Sequence, residues 1–111
     1  MARQVRELAG LVYEFGKCRS YVFEPDGGDP WFPGTEVPED LEAQAGKACA
    51  GCPVIAECLE MTLQLEAELP RQHVVGIFGA TPGHQRLRML DVRRAQREDE
   101  QALVEAGGGA R

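Results

Sequence analysis

Apolar residues recur at helical spacing in four stretches of this chain, and prolines and glycines separate them. Val5, Leu8, Leu11, Val12 and Phe15 share a face, which predicts a helix over 4–15 that Gly16 stops just before Cys18. Residues 20–37, SYVFEPDGGDPWFPGTEV, carry turn residues and no period, and read as a loop. Pro38 suits the first turn of a second helix, with Glu39 and Asp40 at its positive end and Leu41, Ala45 and Ala48 leading to Cys49. Pro53 suits the first position of a third, with Cys52 as its N-cap. Val54, Cys58, Met61 and Leu65 then fall on one face, and Pro70 closes the stretch. Thr81 and Pro82 have the chemistry of N-cap and N1 for a fourth helix, which continues through Leu87 and Leu90 to about residue 103. There is no internal repeat. The expected fold is all-α: one small domain of about four short helices.

Size and charge narrow this picture. At 111 residues there is room for one domain, expected over 1–97, with an acidic and glycine-rich tail over 98–111 that reads as flexible. A core this small points to a metal site that helps the chain fold. No apolar run reads as a signal peptide or a membrane span, so a cytoplasmic location is expected. The net charge of −6 is unevenly placed. Residues 36–68 hold eight acids against Lys47 alone, whereas residues 86–97 hold five arginines against Asp91 alone. A basic final helix on an acidic body can meet phosphates or an acidic protein face, or be a solvated surface paired with the acids beside it.

The candidate chemistry lies in four cysteines, Cys18, Cys49, Cys52 and Cys58, spaced C-x30-C-x2-C-x5-C. A C-x2-C turn presents two thiolates on one loop, a following helix returns a third, and a distant fourth closes the set. Four soft thiolates favour zinc or an iron–sulfur cluster over calcium or magnesium. In a reducing compartment ligation outweighs the alternative of two structural disulfides. Cys58 lies about 9 Å along a helix from Cys52, at roughly 1.5 Å per residue. A cubane spans that more comfortably than one zinc ion, and C-x5-C is not a zinc-ribbon spacing, so iron–sulfur is favoured and zinc is the runner-up. Cys52 at a helix N-terminus would have its thiolate stabilised by the free N–H groups there.

Three features together resemble the WhiB-like family, small iron–sulfur transcription regulators of actinobacteria and their phages. The first is the cysteine set, with CAGCPVIAECL close to the family's C-x-x-C-P-V-x-x-x-C. The second is Asp29-Pro30-Trp31-Phe32-Pro33, similar to an acidic-then-aromatic segment ending F-F-P. The third is Gly76-Ile77-Phe78-Gly79-Ala80, followed by Thr81 and an arginine-bearing helix, similar to a G-[IV]-W-G-G turn. The resemblance spans about residues 8–97. It implies one [4Fe–4S] cluster on the four cysteines. It also implies binding to the C-terminal domain of the primary sigma factor through Trp31, Phe32, Pro33, Gly76, Ile77, Phe78 and Gly79. Promoter DNA contact is expected from Arg86, Arg88, Arg93 and Arg94, and cluster loss to oxygen or nitric oxide could switch the protein.

The chain departs from the family pattern at two positions. Phe78 stands where tryptophan is usual, which keeps a ring and loses an indole N–H. Ala80 stands where a second glycine is usual, which restricts the backbone if φ must be positive. The C-terminus lacks the arginine-glycine minor-groove hook of some members. His73 and His84 do not sit at ligand spacing and read as surface residues. A competing class is a thiol–disulfide reductase using Cys49 and Cys52 after cluster loss, but the chain has no βαβ pattern to position such a pair. A zinc-bound structural interaction module is the other alternative. The regulator, which is not an enzyme, is the favoured reading.

Overall fold

The computed structural model describes residues 3–22 and 28–109. Its helices are α1 (Val5–Phe15), α2 (Pro38–Ala48), α3 (Ile55–Glu66) and α4 (Gly83–Gly109), with 3-10 turns at Lys17–Ser20 and Arg71–His73. Among the described residues there is no strand, and Phe78 and Thr81 form an isolated bridge. The all-α expectation holds. Residues 23–27 of the expected loop, and Ala110 and Arg111 of the expected tail, lie outside the described residues.

Helix α1 packs along α3. Leu8 is buried there, and Gln64 of α3 donates to the Arg3 carbonyl just ahead of α1. Gly16 ends α1 with its N–H on the Val12 carbonyl. Helix α2 starts on Pro38 as expected, and its last turn delivers Ala45, Ala48 and Cys49 into a small core with Ile77. Trp31, Ile55 and Ala80 pack against that core. The whole centre of the molecule therefore lies between the end of α2, the start of α3 and the segment 76–80.

Helix α3 starts later than its sequence predicts. Cys52 is not the N-cap; Val54 holds that position. The Cys52 N–H already bonds the Cys49 carbonyl, closing a tight turn with Gly51 at φ +79°. Pro53 and Val54 continue as a turn, and the Val54 carbonyl accepts the first helical bond, from Cys58. The buried face also differs from the apolar count. Leu65 is half exposed, while Thr62, Leu63 and Glu66 are buried. A charged pair, described below, takes the place that hydropathy assigned to leucine.

Helix α4 runs further than expected. Residues 98–109 continue the helix, past the expected end near residue 103. The run EDEQALVEA is mostly strong helix formers, and Gln101 bonds Glu105 one turn on. Every residue from Arg94 to Ala106 is exposed, so this half lies outside the core as expected. At the other end Thr81 does not cap α4. Its hydroxyl donates to the Phe78 carbonyl, and the Pro82 carbonyl accepts the first helical bond, from Arg86.

Candidate metal centre

All four cysteines are free thiols and line one cavity of about 210 Å³. Six segments build it. The end of α1 gives Val12 and Gly16, and the 3-10 turn after it gives Lys17 and Cys18. The loop gives Asp29 and Trp31, the end of α2 gives Ala48 and Cys49, and the start of α3 gives Cys52, Val54, Ile55 and Cys58. Ile77, Phe78 and Gly79 close the last wall. Among the described residues no three His, Cys, Asp or Glu side chains gather as the ligands of one ion would. The thiols instead surround a space. Soft donors around an apolar cavity larger than one ion suit a compact iron–sulfur cluster.

Hydrogen bonds fix the walls. Lys17 donates its ammonium to the Ala50 carbonyl at 2.7 Å, tying the Cys18 turn to the loop between Cys49 and Cys52. Asp29 accepts the Trp31 N–H at 2.9 Å, which sets the turn that aims Trp31 at the cavity. The Trp31 carbonyl accepts the Ile77 N–H at 2.7 Å, so the aromatic loop and the segment 76–80 move together. Burial pushes the Cys58 thiol up, and the nearby Cys18 and Cys49 add to the rise. The Gly79 N–H and the Thr62 hydroxyl oppose it. That hydroxyl already donates to the Cys58 carbonyl, so the Gly79 N–H is the donor left to the sulfur.

The turn 78–81 explains its own residues. Gly79 and Ala80 both have positive φ, +57° and +58°. At Gly79 there is also no space: a Cβ would stand 2.5 Å from the Cβ of Leu59 and 2.6 Å from its Cα. Only glycine lets the turn touch α3 beside Cys58. Ala80 carries a methyl in a conformation that suits glycine, as its departure from the family pattern implied.

The predicted partner residues divide between two sides of this wall. Trp31, Ile77, Phe78 and Gly79 line the cavity, and the Trp31 ring meets Tyr21 edge-on at 5.0 Å. Phe32, Pro33 and Gly76 line a neighbouring surface groove, with Ile77 shared by both. Phe32 is half exposed and meets Phe78 edge-on, with ring centroids 6.0 Å apart.

The four predicted DNA-contacting arginines do not form one set. Arg86 is fully buried, so direct phosphate contact is ruled out for it. Its Nε and Nη2 donate to the two oxygens of Glu66 at 2.8 and 3.1 Å, and its other donors reach Thr81 and Val75. Arg93 is held by Glu60 of α3, partly buried. Arg94 pairs with Asp91, which also binds Arg71 at 2.7 Å, and remains largely exposed. Arg88 is exposed. Sequence reasoning missed Lys17, Asp29 and Glu66. Lys17 adjoins Cys18, and Asp29 opens the aromatic segment already singled out but had no role assigned there, whereas nothing in the sequence marks a glutamate twenty positions from its arginine. His84 is no ligand here; it meets Glu42 of α2 at 3.2 Å.

The family profile described as "Transcription factor WhiB" matches residues 15–89, about two thirds of the chain and all four cysteines. The chain belongs to the WhiB family. Its members are transcription factors, which agrees with the favoured reading. No curated protein and no solved structure matches the chain. Among the described residues, no helix of this WhiB-family chain is long and apolar enough to cross a membrane.

Proposed function

We propose that this protein is an iron–sulfur transcription regulator that binds the C-terminal domain of the primary sigma factor and acts on promoter DNA in the cytoplasm. The observation that carries the reading is the shared wall. The segment that closes the four-thiol cavity, Ile77 to Gly79, also carries the aromatic expected to meet the partner. Cys18, Cys49, Cys52 and Cys58 would hold one [4Fe–4S] cluster. When bound, it supplies a redox-labile cross-link that oxygen or nitric oxide can attack. Val12, Val54, Ile55 and Ile77 keep the cavity apolar, and Trp31 and Phe78 screen it. Phe32 and Phe78 offer the apolar contact to sigma, and Arg88 and Arg94 are the predicted arginines able to reach promoter phosphates.

The experiment is anaerobic purification followed by metal analysis and titration with the sigma domain. The expected result is a brown protein with about four iron and four sulfide per chain, as four-cysteine cubane ligation implies. Alanine at any one cysteine should lose or cripple the cluster, and sigma binding should need it. Stoichiometric zinc from iron-replete, oxygen-free preparation would overturn the cofactor; normal sigma binding by cluster-free protein would overturn the shared wall.

A further inference from the structure

A buried ion pair sits directly behind the aromatic contact. The Arg86 guanidinium lies over the Phe78 ring, 5.3 Å from its centroid, within the range of a cation–π contact. The same group donates to the Val75 carbonyl at 2.8 Å and to the Thr81 carbonyl. One planar cation therefore ties both ends of the segment 75–81. Glu66 neutralises it from α3, with side chains 0% and 7% exposed in the pair. Stability alone does not account for this choice. Burying two charges is costly, and well-packed apolar side chains of similar volume often hold a fold as well or better. What they cannot supply is a rigid fork of donors for two carbonyls, or a cation against a ring face. Phe32 stands edge-on to the same ring, at 81°. Arg86 and Phe32 thus fix the pose of Phe78 between them.

We infer that Arg86 is a positioning residue for the partner contact, setting the pose of Phe78 and the turn beneath it while touching neither sigma nor DNA. The inference rests on the proposed sigma contact for its functional consequence and on the Phe78 ring for its physical one. Its test reads both. Holoprotein labelled with 4-fluorophenylalanine gives a fluorine resonance for residue 78, assigned by its loss in Phe78→Leu. Arg86→Lys keeps the charge and loses the fork. The expected result is a shifted or broadened Phe78 resonance, unchanged cluster absorbance, and sigma affinity lower by about tenfold. In the Phe78→Leu background, Arg86→Lys should add no further loss, because both changes act through one ring. The apolar pair Arg86→Met with Glu66→Leu should melt as high as wild type and still bind weakly, which separates pose from packing. An unmoved resonance in Arg86→Lys overturns the inference, and so does full loss added to that of Phe78→Leu, or normal binding by the apolar pair. If wild-type protein fails to bind sigma, the proposed function falls, and the fluorine resonance still decides the role of Arg86.

Discussion

Adjacent residues in one turn should respond to glycine and alanine with opposite signs. Ala80 holds φ +58°, where a side chain costs roughly 1–2 kcal/mol over glycine. Ala80→Gly removes that cost. Against it stand a looser unfolded chain, about 0.4–1 kcal/mol, and a partly buried methyl against the Ala45–Ile77 core, a few tenths of a kcal/mol. The net expectation is a gain of about 0.5 kcal/mol, or roughly 2–4 °C in Tm for a domain of this size. Gly79→Ala meets the same backbone cost in reverse. It also drives a Cβ to 2.5 Å from Leu59, against α3 backbone that cannot yield without moving Cys58. Overpacking of this kind adds about 1–3 kcal/mol, so the total loss is about 3 kcal/mol, within a span of roughly 1–5 kcal/mol. Anaerobic melts by far-UV circular dichroism at one scan rate, with cluster absorbance followed in parallel, measure both. A lower Tm for Ala80→Gly, or a Gly79→Ala variant as stable as wild type, would refute the account of the turn.

Phe78→Ala should weaken sigma binding at least tenfold with the cluster spectrum intact, since truncating a buried aromatic anchor costs about 2 kcal/mol or more; Phe78→Trp should tighten it, and calorimetric titration reads both. Lys17→Met should lose its cluster several-fold faster in air, measured by decay of the visible absorbance, because the bond from Lys17 to the Ala50 carbonyl no longer closes the cavity over Cys18. The Arg93 guanidinium bonded to Glu60, and His84 and Gln85 bonded to Glu42, hold these two carboxyls below their ordinary value of 4.5. Carboxylates depressed in the folded state contribute stability above pH 4.5 that is lost as pH falls through their folded values. Urea midpoints should therefore drop on acidification, and Glu60→Gln should flatten that drop. Arg94→Glu should weaken promoter binding by the ternary complex and reduce its salt dependence, while leaving the two-protein affinity unchanged.

Much of the fold was legible because its signals are local. Helical spacing placed α1, Pro38 placed the start of α2, and the cysteine spacing pointed to one site that the structure gathers around one cavity. The errors come from interactions that cross the sequence. Arg86 reads as one more cation on a basic helix until Glu66 is seen twenty residues away. Leu65 reads as core because the pattern cannot know that a glutamate one position on is neutralised and buried in its place. The start of α3 falls two residues later than Cys52, because the Val54 carbonyl, not that of Cys52, accepts the first helical bond, from Cys58. Trp31 and Phe32 are neighbours in the expected sigma contact, and a single turn at Asp29 sends them to different sides of the same wall.

Helix α4 holds 27 residues, about 40 Å at 1.5 Å per residue, in a molecule measuring 65 × 31 × 21 Å. Its first turns are fastened by Arg86 and Arg93, Gln96, Arg97 and Glu100 still flank a groove against α3, and the side chains from Gln101 to Ala106 are exposed. Such a rod transmits angle as well as distance. Each residue inserted past Arg94 swings everything after it by about 100° and advances it about 1.5 Å. Insertion of two would turn Leu103 and Val104 to nearly the opposite side of the rod, whereas insertion of seven would return them almost to their present bearing, one heptad further out. The direction in which those two exposed side chains point is therefore set in phase with the buried guanidinium at the other end.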